Sequence, residues 1–462
     1  MRATGFAAAA IAAIAAGFVL SVVPTSMADA RSGSSWPSFQ GGPQHLGSAP
    51  TGPQPALSVA WRWPAARSND ATSAASAAVV GDGMAIAVTA DQVVALDAST
   101  GSLRWRLGRA SGYLDPPALD ATSTAGGTLV FTQGRRGTGS ALIAVDLTTR
   151  SELWRFPSGA PLKQPLRGPP VISEGAVFVG GNDGFVYAID LASGAKRWSF
   201  QTGGIVQTSP AAADGIVFAV GETAGTGVAT LFAIDASTGT KLWSYAPRSA
   251  SLHVSSPTVA GGHVFEAFGD GAVRAFDERT GSIVWSSAIR GLFSPMNALA
   301  YADGAVFALD ATGALYDLDA ASGVRRWDFQ FAPSALRSAP LVAGGTVYVG
   351  LDDGSVAAVE VSTGVRVWLR RLRGGPAGGL AAADGTLFVP YSGRGGGIVA
   401  FRHSDAGLER VESPTVLHLG AALGGFAVAA VAVLAGLLAL FGFLGRRRTA
   451  DEGPVDGTGG GA

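Results

Sequence analysis

Between residues 57 and 412 the apolar positions fall in short runs broken by turn residues, and they do not recur at helical spacing. "GAVFVG" (Gly175–Gly180) runs into "GNDG" (Gly181–Gly184), then "FVYAID" (Phe185–Asp190), then "LASG" and a stretch ending at Trp198. β-Branched and aromatic residues fill the runs while Gly, Asn and Asp fill the gaps, which predicts strands joined by tight turns. The order returns in "GTVYVG" (Gly345–Gly350) with "LDDG" (Leu351–Gly354), and again around "FGDG" (Phe268–Gly271).

One piece of the pattern recurs most clearly: an apolar run, Asp, two or three small residues, Gly, and a tryptophan four residues after the glycine. The copies are Asp97–Gly101–Trp105, Asp146–Arg150–Trp154, Asp190–Gly194–Trp198, Asp235–Gly239–Trp243, Asp277–Gly281–Trp285, Asp319–Gly323–Trp327 and Glu360–Gly364–Trp368. The tryptophans are 49, 44, 45, 42, 42 and 41 residues apart, and seven of the ten in the chain occupy this slot. A period near 42 residues over this length marks a repeat architecture. Four short strands per unit and no helix predict an all-β fold, a β-propeller with one four-stranded blade per repeat.

Physical chemistry gives the signature a structural job. The aspartate ends a strand and its carboxylate accepts backbone N–H groups two or three residues on. The glycine supplies a positive φ. The tryptophan, on the outermost strand, buries its ring against the next blade. Arg150 in place of the glycine and Glu360 in place of the aspartate fit turns better than catalysis. A degenerate eighth copy at Gly395–Val411 has Arg402, Gly407 and Val411 in the three slots. "LSVAWRWP" (Leu57–Pro64) reads as an outer strand without its own blade. The expectation is eight blades, closed by this N-terminal strand pairing into the eighth; seven, with the last hairpin as a cap, is the alternative.

The ends of the chain predict its location. Arg2, an apolar run from Phe6 to Val23 and "SMADA" (Ser26–Ala30) make residues 1–30 a secretory signal, cut after Ala28 or Ala30, or else kept as an anchor. A lead-in (31–56) precedes the propeller (57–412), and residues 413–418 link it to an uncharged stretch at 419–444. That stretch would span roughly 39 Å as a helix, enough for a hydrocarbon core of about 30 Å. Arg446, Arg447 and Arg448 then favour a cytoplasmic tail (445–462), leaving the propeller outside.

Composition narrows the chemistry. A net charge of −1 argues against a broad basic surface for nucleic acid. Zero cysteine removes disulfides, thiolate metal sites and thiol nucleophiles. The five histidines, His45, His253, His263, His403 and His418, show no zinc spacing. The acidic pairs Asp352/Asp353 and Asp317/Asp319 fall at a hairpin turn and a strand end, short of a calcium ligand set.

The Asp–x–x–Thr/Ser–Gly–x–x–x–Trp repeat resembles those of pyrroloquinoline-quinone-type β-propellers, and "WPSFQGGPQHLG" (Trp36–Gly47) is similar to the lead-in before such propellers. The resemblance covers roughly Trp36–Val411. It implies the propeller fold and a family that spans quinoprotein dehydrogenases, an envelope assembly lipoprotein and cell-surface proteins. Those dehydrogenases use the quinone with calcium or a lanthanide, held by Glu, Asn and Asp, with a catalytic Asp. No residue here maps onto that set, so no catalytic residue, metal ligand or cofactor is expected; the quinone with calcium stays as the alternative. Residues leading into the inner strands place Arg167, Gln207 and Arg337 at one equivalent position, with Asn297 one place over. They are candidates for holding an anionic or carbonyl-rich ligand at the axial mouth. The function expected is a membrane-tethered binding or protein-interaction module, with an atypical dehydrogenase or an envelope assembly scaffold as alternatives.

Overall fold

The computed structural model describes residues 35–64, 75–108, 113–120, 127–135, 139–223, 227–248, 255–289, 299–331, 338–372, 378–392 and 396–404. The signal segment, the linker, the span, the tail, Asn297, Arg337, Gly407 and Val411 lie outside these residues. No helix among the described residues is long and apolar enough to cross a membrane.

Eight antiparallel four-stranded sheets form the blades of a propeller, numbered here in chain order from Val79. Each runs from an inner strand, short in all but blade three and exemplified by Ala211–Ala213, through two buried ones to an outer strand such as Lys241–Tyr245. Blade eight takes its first three strands from Ala381–His403 and its outer strand from Leu57–Pro64, which pairs antiparallel with Gly397–His403. Chain start and chain end thus close the ring, as expected. Trp61 holds the tryptophan slot of this blade, which corrects the assignment of Val411 to it: the N-terminal strand already occupies the place a strand after Gly407 would take.

The core lies in the seams between sheets. In seven of the eight, an indole Nε1 donates to a backbone carbonyl of the next blade, and in six of these the acceptor directly follows the Asp or Glu of the turn. Trp61 donates to Ala98, Trp154 to Leu191, Trp198 to Ala236, Trp243 to Glu278, Trp285 to Ala320 and Trp327 to Val361, at 2.7–3.2 Å. Trp368 donates to Leu57 across the closing seam at 3.2 Å. The turns form as expected. Asp190 Oδ1 accepts the Ser193 N–H at 2.9 Å and hydroxyl at 2.7 Å, and Gly194 has φ +71°. Arg150 holds the same left-handed conformation at φ +63°.

The lead-in is the part whose position sequence did not suggest. Trp36–Ala49 threads the axis and offers its carbonyls to one inner strand after another. Leu119 N–H donates to Pro37, Ala212 to Pro43, Val259 to Gln44, Tyr301 to Leu46 and Val342 to Gly47, at 2.7–2.9 Å. Trp36 exchanges both backbone hydrogen bonds with Val80, and Ser48–Ala49 adds a parallel strand to blade seven. The 3-10 turn Phe39–Gly41 packs on the inner strands of blades three and eight. One segment therefore touches all eight blades.

Candidate functional site

The axial mouth lies at the end of the ring opposite the Asp–Gly–Trp turns, where the chain enters each inner strand. Inner-to-second-strand register (Val171↔Phe178, Ala211↔Phe218, Thr258↔Phe265) aligns the blades and puts Arg167 and Gln207 at the same place, as counted from sequence. "LRGPP" lies inside the inner strand Leu166–Ser173 of blade three, which bulges between Arg167 and Val171; it does not precede that strand as expected. The half-buried Arg167 guanidinium carbon stands 3.7 Å from the centre of the Tyr113 ring, and its Nε is buried with no hydrogen-bond partner. Gln207 is half-buried in the connection between blades three and four.

The next position along holds a small polar side chain in four blades and the buried Asp115 in blade two. Ser76, Ser255 and Ser338 each accept a backbone N–H of the second strand through Oγ, from Val88, Ala267 and Gly350 at 2.7–3.0 Å. Thr208, at this place in blade four, has a buried Oγ1 without a partner.

Sequence reasoning missed Glu266. Register places it level with Ala87, Phe131, Val179, Ala219, Ala308, Val349 and Val389, so seven blades carry an apolar side chain where the fifth carries a carboxyl group. Glu266 is fully buried; Oε1 accepts the Ser255 hydroxyl at 2.7 Å and Oε2 has no partner. Burial pushes its pKa well above the usual carboxylate range, outweighing the Ser255 hydrogen bond. Glu222, at the end of the second strand of blade four, is raised to about 7 by burial, and its Oε1 is also orphaned. Only alignment of the blades against one another would have exposed Glu266, since alone it reads as an ordinary strand residue.

Beneath the mouth, the His45 ring is completely buried. Its Nδ1 lies 2.9 Å from the Pro257 carbonyl and its Nε2 3.1 Å from Ser209 Oγ. Burial lowers its pKa to about 4. This holds the imidazole neutral, so Nδ1 donates to Pro257, while the Ser209 hydroxyl beside Nε2 donates to the Pro169 carbonyl at 2.8 Å.

The other acidic pairs are structural. Arg326 binds Asp319 at 2.7 Å and stands 3.9 Å from Asp317, whose pKa burial raises to about 6. Asp353 accepts the Ser355 N–H at 2.8 Å within its turn. No three acidic or histidine groups among the described residues converge on a point that would hold a metal. Glu266 and Glu222, whose burial favours the neutral acid, are a poor match to the anionic ligands calcium takes.

A family described as outer membrane protein assembly factor BamB matches residues 138–291 and 269–415, more than half of the chain. The chain belongs to that family. No curated protein matches it in sequence. Among solved structures it is similar to a europium-containing methanol dehydrogenase (TM-score 0.64, 15% identity, covering 78% of this chain and 90% of that one). BamB from Moraxella catarrhalis gives a TM-score of 0.54 at 20% identity, over 71% of this chain and 95% of that one. The quinohemoprotein alcohol dehydrogenase ADHIIG from Pseudomonas putida HK5 gives 0.64 at 15% identity, over 83% and 82%. At such identities these structures show a shared fold, and the function has to be argued from the site.

Proposed function

We propose that this protein is a membrane-tethered propeller held outside the cytoplasmic membrane, working as a binding and protein-interaction module of the cell envelope. One observation carries the reading: the repeat signature goes into the seams between blades. Its aspartates hold turns, its tryptophans bridge to the next sheet, and the axis is threaded by the chain's own lead-in. A rigid disc with variable loops remains, a form suited to presenting surfaces. Membership in a family described by an envelope assembly factor supports the interaction role. Residues 419–444 and the arginines after them support the tether.

At the mouth, Arg167, Gln207 and Thr208 offer donors to an anionic or carbonyl-rich group of the partner. The test is crosslinking of the full-length chain in its native membrane, followed by affinity recovery. A discrete protein partner whose yield falls in Arg167→Ala supports the proposal. Absence of any partner, with dye reduction on adding the quinone, calcium and an alcohol, would replace it with the dehydrogenase reading.

A further inference from the structure

The described residues contain seven exposed large apolar side chains, and six share one stretch of the repeat. Leu103, Leu153, Leu242, Ile283, Val284 and Val324 all fall within the three positions before a repeat tryptophan and are 44–63% exposed. Single exposed apolar residues are ordinary on a protein surface; gathering at one place in five separate blades is not. That place is the start of the outer strand, where the chain has just left the Asp–Gly turn. These side chains therefore ring the edge of the face opposite the axial mouth. The turns described on the mouth face carry no exposed large apolar side chain.

The same strand starts carry exposed cations: Arg104, Lys196, Arg197, Lys241, Arg325 and Arg326. The turn carboxylates accept N–H and hydroxyl groups of their own turns, and Arg104, Arg197 and Arg326 pair with them at 2.6–2.9 Å. Exposed acids share this face, Asp82, Glu174, Asp214, Asp303 and Asp384 in the turns after the inner strands, so the contact falls to the apolar side chains, which suit shallow insertion into the headgroup zone of a bilayer.

The chain also leaves the ring on this face. The strand Gly397–His403 ends level with the aspartate turns, and the Arg402 Nη2 donates to the Ala98 carbonyl beside Asp97 at 3.2 Å. Residues 405–418 then separate it from the apolar stretch at 419–444, a reach of roughly 50 Å at most even fully extended. We infer that the turn face of the propeller rests on the membrane surface through its ring of outer-strand apolar side chains, with the axial mouth turned away from the bilayer. The inference rests on the tether proposed above and adds an orientation to it.

The chain lacks cysteine, so single-cysteine variants can be labelled cleanly. Full-length protein would be reconstituted into phosphatidylcholine–phosphatidylglycerol vesicles with brominated lipids, carrying an environment-sensitive fluorophore at Val324→Cys or at Asp353→Cys on the opposite face. The expected result is about a twofold loss of fluorescence at position 324, none at 353, and recovery at 324 when Leu242→Glu and Ile283→Glu are added. Equal quenching on the two faces, or quenching at 353 alone, overturns the orientation while leaving the tether standing. Release of the whole chain by alkaline wash overturns both.

Discussion

A glycine in most of the turns lies against a tryptophan from the blade before it. A Cβ on Gly239 would come 2.7 Å from Trp198 Cγ, and one on Gly281 2.6 Å from Trp243 Cδ2. The glycine is thus needed twice, for its φ of +74° and for the room its missing side chain leaves. Gly215 has φ +76° with nothing within 4 Å, so it isolates the first effect. Gly215→Ala should cost about 1 kcal/mol from backbone strain alone, and Gly239→Ala about 3 kcal/mol or more, measured by urea unfolding. Trp198→Ala should cost about 3–5 kcal/mol. In the double variant the Gly239→Ala penalty should shrink by about 1–2 kcal/mol because the ring it strikes is gone; additivity would show that the two residues do not touch. Sequence revealed the turn chemistry here because the Asp, Ser/Thr and Gly that make it lie within a few positions. It did not reveal the glycine's neighbour, which sits one repeat away.

The same contrast governs elements. Strands, turns and period were legible because pleating and turn formation act locally. The route of Trp36–Gly47 was not, since its partners are inner strands spread over the whole ring. A segment with a 3-10 turn and two prolines looks like a connector until its carbonyls are matched to amides. His45 shows what holds it. With a pKa lowered to about 4 from 6.5, the neutral ring stabilises the fold fully above pH 6.5. That contribution drains away as pH falls toward 4, because the unfolded chain takes up the proton first. The loss should amount to about 3 kcal/mol. Thermal unfolding of the wild type should therefore weaken across pH 6.5–4 more steeply than that of His45→Gln, and parallel curves would contradict the burial. Glu266 works in the opposite sense. Its raised pKa favours the protonated form, so its contribution is present below pH 4.5 and is lost as pH rises through the folded value. Glu266→Gln should be nearly neutral near pH 5 and relatively stabilising in alkali, checked by the same unfolding curves.

For the whole molecule, the account joins a closed ring, a threaded axis and a surface role. The mouth was half legible: counting back from the inner strands set Arg167 and Gln207 level with one another, as register has them, while the acid that departs from seven apolar equivalents needed the blades laid over one another. Closure from both chain ends removes the free sheet edge an open ring would expose, and the lead-in ties all eight blades into one cooperative body. Native-state hydrogen exchange tests this most directly, through the amides of Leu119, Ala212, Val259, Tyr301 and Val342, which come from five blades and donate to one segment. The account predicts that all five exchange at a single slow rate set by global unfolding. Five distinct rates, or fast exchange at the lead-in while the blades stay protected, would contradict it.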